Sequence, residues 1–137
     1  MKVMVIVKAS KDSEAGKLPN QQLLSDMQKF NEELTKAGII KAAEGLKASS
    51  LGARVRFEGA ARTVTTGPFP NTNDLVAGFW IWQVKTLDEA IDWVKRYPNP
   101  QTEPTDIEIR PVFEMDDFAA SDPSGEIRKA EKKLGLQ

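Results

Sequence analysis

The 137-residue chain has no cysteine and no histidine. Without cysteine there is no disulfide framework, no thiolate nucleophile and no Cys-based metal site. Without histidine the usual general base near neutral pH and the commonest metal ligand are missing, so Ser-His-Asp triads and most zinc chemistry go as well. Neither sign of charge prevails: 19 Lys and Arg stand against 20 Asp and Glu, and a net charge of -1 gives no overall attraction to nucleic acid or an anionic membrane. Long hydrophobic runs are absent too. The N-terminal Met1-Lys-Val-Met-Val-Ile-Val7 stops at Lys8, short of the roughly 7 to 15 residues of a signal core, and nothing approaches the ~18 apolar residues of a membrane span. A cytoplasmic protein is expected, with no cofactor, no metal, no nucleic-acid partner and no membrane contact.

What is present fits one soluble domain: 40% hydrophobic and 28% charged residues. The stretch Val76 to Lys85 (Val-Ala-Gly-Phe-Trp-Ile-Trp-Gln-Val-Lys) is apolar on both alternating sets of side chains, so as a strand it must hide two faces. The chain is too short to supply two covering layers. That shortage predicts a homodimer, with Trp80 and Trp82 on the face that the second copy closes.

Val3, Val5 and Val7 alternate with Met4 and Ile6, which reads as a first buried strand. Lys8 to Asn20 reads as loop. Leu23, Leu24, Met27, Phe30 and Leu34 fall at helical spacing, with Asn20 as N-cap and Gly38 just past the end. Ile39 to Ser50 reads as a mixed connection. Arg54–Phe57 and Arg62–Thr65 form a hairpin, and Gly67-Pro-Phe-Pro-Asn71 breaks any regular element. After the central strand, Thr86 and Glu89 make a capping box for a second amphipathic helix ending near Tyr97-Pro98. A proline-rich loop over 98–105 leads to a strand at Asp106–Glu114, which Pro111 restricts to an edge or a bulge. The acidic tail turns into a short polar helix capped by Ser121 or Asp122. This order predicts an α+β sandwich of ferredoxin-like type with both helices on one face, and the first and Val76–Lys85 strands side by side in the middle.

Several segments together resemble a known family: Met1-Lys-Val-Met-Val-Ile-Val7, Phe30-Asn-Glu-Glu-Leu34 with Ala37-Gly38, Glu44-Gly-Leu46, Gly67-Pro-Phe69, Leu75-Val-Ala-Gly-Phe-Trp80, Leu87-Asp-Glu-Ala90 and Ile107-Glu-Ile-Arg-Pro-Val-Phe-Glu114. In order and spacing they are similar to YCII-related proteins of the DGPF type, from Met1 to about Phe118, leaving 119–137 as a tail. The resemblance implies a dimeric α+β barrel and a small bacterial protein of mostly unassigned role. It also implies a regulatory link to extracytoplasmic-function sigma factors. Other branches resemble enzymes with a His and Asp pair in a cleft, which a chain without histidine cannot reproduce. The signature is altered: Thr66-Gly-Pro-Phe-Pro-Asn-Thr-Asn-Asp74 stands where the family usually reads Asp-Gly-Pro-Phe-Ala-Glu-Thr-Lys-Glu.

The candidate ligand-binding residues are therefore neutral or aromatic. Phe69, with Thr66, Asn71 and Thr72, either walls a pocket or forms a rigid turn with Phe69 plugging the core. Trp80 and Trp82 either look into the barrel or fill a dimer core. Glu108 and Arg110 project from one strand face: Arg110 to grip a carboxylate or phosphate and Glu108 as a desolvated base, or the two as part of an ion-paired surface. Glu114, Asp116 and Asp117 read as a solvated strand end. The functional expectation is a homodimeric small-molecule-binding or regulatory protein. The alternatives are a metal-free lyase or isomerase with a pocket carboxylate, and a transcription-associated interaction module.

Overall fold

Residues 1–99 and 103–136 are described by the computed structural model, so the expected loop over 98–105 lies partly outside the described residues. The central strand forms as expected. β1 (Lys2–Lys8) and β5 (Val76–Gln83) pair antiparallel, with Val5 opposite Trp80 and Val3 opposite Trp82. β6 (Ile107–Pro111) pairs with the free side of β1 and is an edge strand that Pro111 ends. The other edge is β2 (Ile40–Gly45), inside the segment expected to be a mixed connection. Ile-Lys-Ala-Ala-Glu-Gly has little β-branched or aromatic character; its pairing with β5 makes it a strand, not its own preference. The sheet order is β2-β5-β1-β6.

Helix α1 (Lys11–Glu14) is a single turn in the segment read as loop, held by a reciprocal capping box between Ser10 and Ser13. Helix α2 (Gln21–Lys36) starts where Asn20 Oδ1 accepts from Leu23 N–H at 2.8 Å and stops before Gly38, which takes a left-handed φ of 71° that a side chain would disfavour. Helix α3 (Leu87–Val94) starts at Thr86, whose hydroxyl accepts from Glu89 N–H at 3.1 Å. Helix α4 (Glu126–Lys133) closes the chain; buried Asp122 serves its first amides, accepting from Arg128 N–H at 3.0 Å.

The core gathers Phe30 and Leu34 of α2 and Ala90 of α3 against Val3, Val5, Trp80 and Trp82. The helices thus cover one sheet face, and the fold is an α+β sandwich of ferredoxin-like type. The tryptophans are on the covered side, which corrects the expectation that they face a second copy. Phe30 packs edge-on against Trp80, Trp82, Trp93 and Tyr97, so the aromatic half of the strand goes where the helices supply aromatic partners. The face left open carries Met4, Ile6, Ala77, Phe79 and Ile81, all half-buried.

The hairpin forms where expected, but with both faces solvated instead of one and outside the four-stranded sheet. β3 (Ala53–Glu58) and β4 (Ala61–Thr66) pair with each other as a separate two-stranded ribbon, every residue of which is exposed.

Candidate functional site

The altered signature is built into the base of this ribbon. Gly67 N–H donates to Gly52 O at 3.1 Å. A Cβ on Gly67 would come within 1.8 Å of the Ser49 carbonyl oxygen, so only glycine lets the two backbones approach. The Gly67-Pro68 peptide is cis. Phe69 N–H then donates to Ser49 Oγ at 2.9 Å, while Ser49 Oγ–H donates in turn to a carboxylate oxygen of Glu14 on α1. The other Glu14 oxygen accepts from Ser49 N–H at 2.8 Å. These hydrogen bonds, from the Ser49 hydroxyl first and its backbone N–H second, hold the Glu14 carboxyl below the usual glutamate range. The trio pins three distant segments together. As chemistry it is weak: a carboxylate whose charge is stabilised is a poor base, and the hydroxyl oxygen already accepts the Phe69 N–H.

Beside this tie lies a groove of about 420 Å³, lined by Leu46, Leu51 and Val76 on its apolar side and by Lys47, Arg54 and Phe69. The Arg54 guanidinium sits 3.9 Å above the Phe69 ring. Stacking on its flat face leaves the N–H edge of the fork free for a planar anion. A larger hollow of about 620 Å³ is walled by α2 alone, including Leu24, Gln28 and Thr35. An open helix flank converges no polar groups on a ligand, so the smaller groove is the better site.

Most of the other sequence candidates are elsewhere. Thr66 ends β4, exposed and opposite Ala53. Asn71 is exposed at a left-handed φ of 66°, a conformation asparagine tolerates, and it leads into the turn Thr72–Asp74. Trp80 donates its indole N–H to Asn31 Oδ1 at 3.0 Å, and Trp82 is fully buried, so neither is open to a ligand. Glu108 lies on the open face between Lys8 at 3.5 Å and Arg110 at 3.8 Å. This is the cross-strand ion pair, with Arg110 turned mostly to solvent. Of the eight candidates, the structure puts Phe69 alone in the groove, joins Glu108 with Arg110, and sets Trp80 against Trp82 inside the core with ring centroids 5.8 Å apart. Glu14, Lys47, Ser49 and Arg54 were missed as site residues. Arg54 was visible only as the charged position of an alternating strand, and nothing local links Glu14 to Ser49 across 35 residues.

A family model described as the YCII-related domain matches residues 1–116. The chain belongs to the YCII-related domain family. It is also similar to an uncharacterized protein of Rhizobium meliloti (strain 1021), 24% identical over 93 residues that make up 68% of this chain and 75% of that protein. The matched region of this YCII-related chain runs from β1 to the first residues after β6, so it contains the ribbon, the groove and the open face, and stops before α4. No helix among the described residues is long and apolar enough to cross a membrane, and no three acidic side chains among them are grouped to hold a metal ion.

Proposed function

We propose that this YCII-related chain works as a homodimer that binds a small organic anion, by contact and not by covalent chemistry. The observation that carries this reading is Arg54 stacked over Phe69 in a groove that Leu46, Leu51 and Val76 also line, its one carboxylate, Glu14, being tied to Ser49. Such a lining suits a ligand with an apolar or aromatic body and a carboxylate or phosphate end, with Lys47 as a second cation. The dimer is supported by the sheet face opposite the one on which α2 and α3 pack, where Met4, Ile6, Phe79 and Ile81 remain half-exposed. Two such faces meeting would complete a barrel. Histidine and cysteine are absent from the chain, Glu14 is tied to Ser49, and Glu108 is held between two cations.

Calorimetric titration with aromatic and aliphatic carboxylates and phosphate monoesters tests the reading. At least one class is expected to bind, and Arg54→Gln to weaken it about tenfold, since a hydrogen bond to a charged partner contributes roughly 1.5–3 kcal/mol. Equal affinity in an Arg54→Gln chain that keeps its circular dichroism would remove the groove from consideration.

A further inference from the structure

Among the described residues no other strand pairs with the ribbon. By register, Val55 faces Val64, Phe57 faces Arg62 and Ala53 faces Thr66 on one side of it, while Arg54, Arg56, Thr63 and Thr65 are on the other. One side is therefore apolar, yet Val55, Phe57 and Val64 are 54%, 72% and 65% exposed. An isolated two-stranded ribbon is marginal in water, and its apolar face has to be covered for it to hold its shape. Its charge is lopsided as well, with Arg54, Arg56 and Arg62 against Glu58 alone.

A matching surface exists on the same molecule. Just past β6, Phe113 and Phe118 stack with ring centroids 4.9 Å apart and remain 69% and 42% exposed. Beside them in the chain are the exposed Glu114 and Asp117, and Asp116, which pairs with Arg128 at 3.2 Å. Aromatic surface flanked by acids complements an aromatic and aliphatic surface that carries Arg62.

The two surfaces cannot easily meet within one chain. The ribbon leaves the sheet where Gly45 pairs with Gly78, on the β2 edge. The Phe113 ledge follows Pro111, which pairs with Val3, itself opposite Trp82 at the far end of β5. Since β2 and β6 are the outer strands, ribbon and ledge spring from diagonally opposite corners of the sheet. A two-fold axis lying along the other diagonal of the open face brings each corner of one copy onto the opposite corner of its twin, and makes the contact twice. The same operation crosses the two sets of strands near a right angle, one of the two ways in which sheets pack face to face.

We propose that the β3–β4 ribbon is an arm that clasps a second copy of this chain, laying Val55, Phe57 and Val64 on Phe113 and Phe118 with Arg62, the arginine of that same side, against Glu114 and Asp117. The proposal rests on the homodimer suggested above and adds the contact that holds it together and sets its crossing angle.

Charge exchange in the full-length chain tests it by sedimentation velocity at low salt. Arg62→Glu should raise the dissociation constant of the dimer at least tenfold, and so should Glu114→Lys. An equimolar mixture of the two variants should recover near wild-type association, because both contacts in the mixed dimer again join opposite charges. Both positions are exposed, and circular dichroism confirms that each variant is folded. Wild-type association in either variant, or a mixture no tighter than its components, overturns the clasp while leaving a dimer through the sheet face standing. A wild-type chain that stays monomeric overturns both.

Discussion

Trp80 donates its indole N–H to Asn31 Oδ1 at 3.0 Å, joining the middle of the sheet to α2. Its neighbour on the same face, Trp82, is fully buried and its indole nitrogen has no hydrogen-bond partner among the described residues. The two rings share Phe30 as an edge-on neighbour, so they differ mainly in this one bond.

That difference gives opposite corrections to the same substitution. Trp→Phe opens a similar void at both positions. At Trp80 it also leaves Asn31 without its donor, whereas at Trp82 it removes a buried donor whose desolvation, about 1–3 kcal/mol, nothing compensates. Urea unfolding should therefore show Trp80→Phe as the more destabilising change, by about 1 kcal/mol or more. The reverse ranking would mean that the Asn31 bond contributes little.

Gly67→Ala should be among the most damaging surface substitutions. Its methyl group would overlap the Ser49 carbonyl, and relieving such overpacking costs about 1–3 kcal/mol. A lowered melting temperature with loss of anion binding is expected. Ser49→Ala, which removes the hydroxyl's bonds to both Glu14 and Phe69 N–H but adds no atoms, should cost at least about 1 kcal/mol. An unchanged melting temperature for Gly67→Ala would show that the ribbon base is slack.

Acid should loosen that region and the start of α4. The Glu14 carboxyl lies below its ordinary range through Ser49, and Asp122 through the Arg128 backbone N–H first, then its neighbours and guanidinium. A carboxylate with a depressed pKa in the folded chain binds fewer protons there than in the unfolded chain. Its contribution is thus complete above the unfolded value, roughly 4, and fades as pH falls through the folded value. Glu14→Gln should be less stable than wild type at pH 7 and should show a shallower loss of stability below about pH 5. Parallel pH profiles for the two proteins would contradict the Ser49 contact.

Much of this fold is legible in the residues because local and global preferences agree. Asn20, Gly38 and Thr86 mark helix ends by their own hydrogen bonds and backbone angles, and Val3, Val5, Trp80 and Trp82 alternate as central strands do. The rest depends on contacts between distant segments. Ala42 and Ala43 carry no strand signal and are strand because β5 pairs with them, the register shifting at Lys41. Which face of β5 the helices take is decided by Phe30, Trp93 and Tyr97 meeting the tryptophans, a choice that alternation alone leaves open. The groove is less legible still. Phe69 was visible as the aromatic of a Gly-Pro turn, whereas Arg54 is brought over it by the ribbon and Glu14 by α1.

The open face itself gives a single-site prediction. Phe79 and Ile81 sit next to Ile6 and Met4 in the sheet register. Ile81→Lys would place a charge in the middle of that face without touching the helix-side core. It is expected to abolish self-association at micromolar concentration while leaving the urea midpoint of the monomer within about 1 kcal/mol, because a surface change away from packed contacts costs little.

Light scattering on the unmodified chain measures most directly whether a second copy closes this face. At micromolar concentration the scattering mass should be twice the 15.2 kDa of one chain. A mass of 15.2 kDa that persists up to about 100 micromolar, where even a weak dimer of ~10 micromolar dissociation constant would be mostly formed, would contradict it.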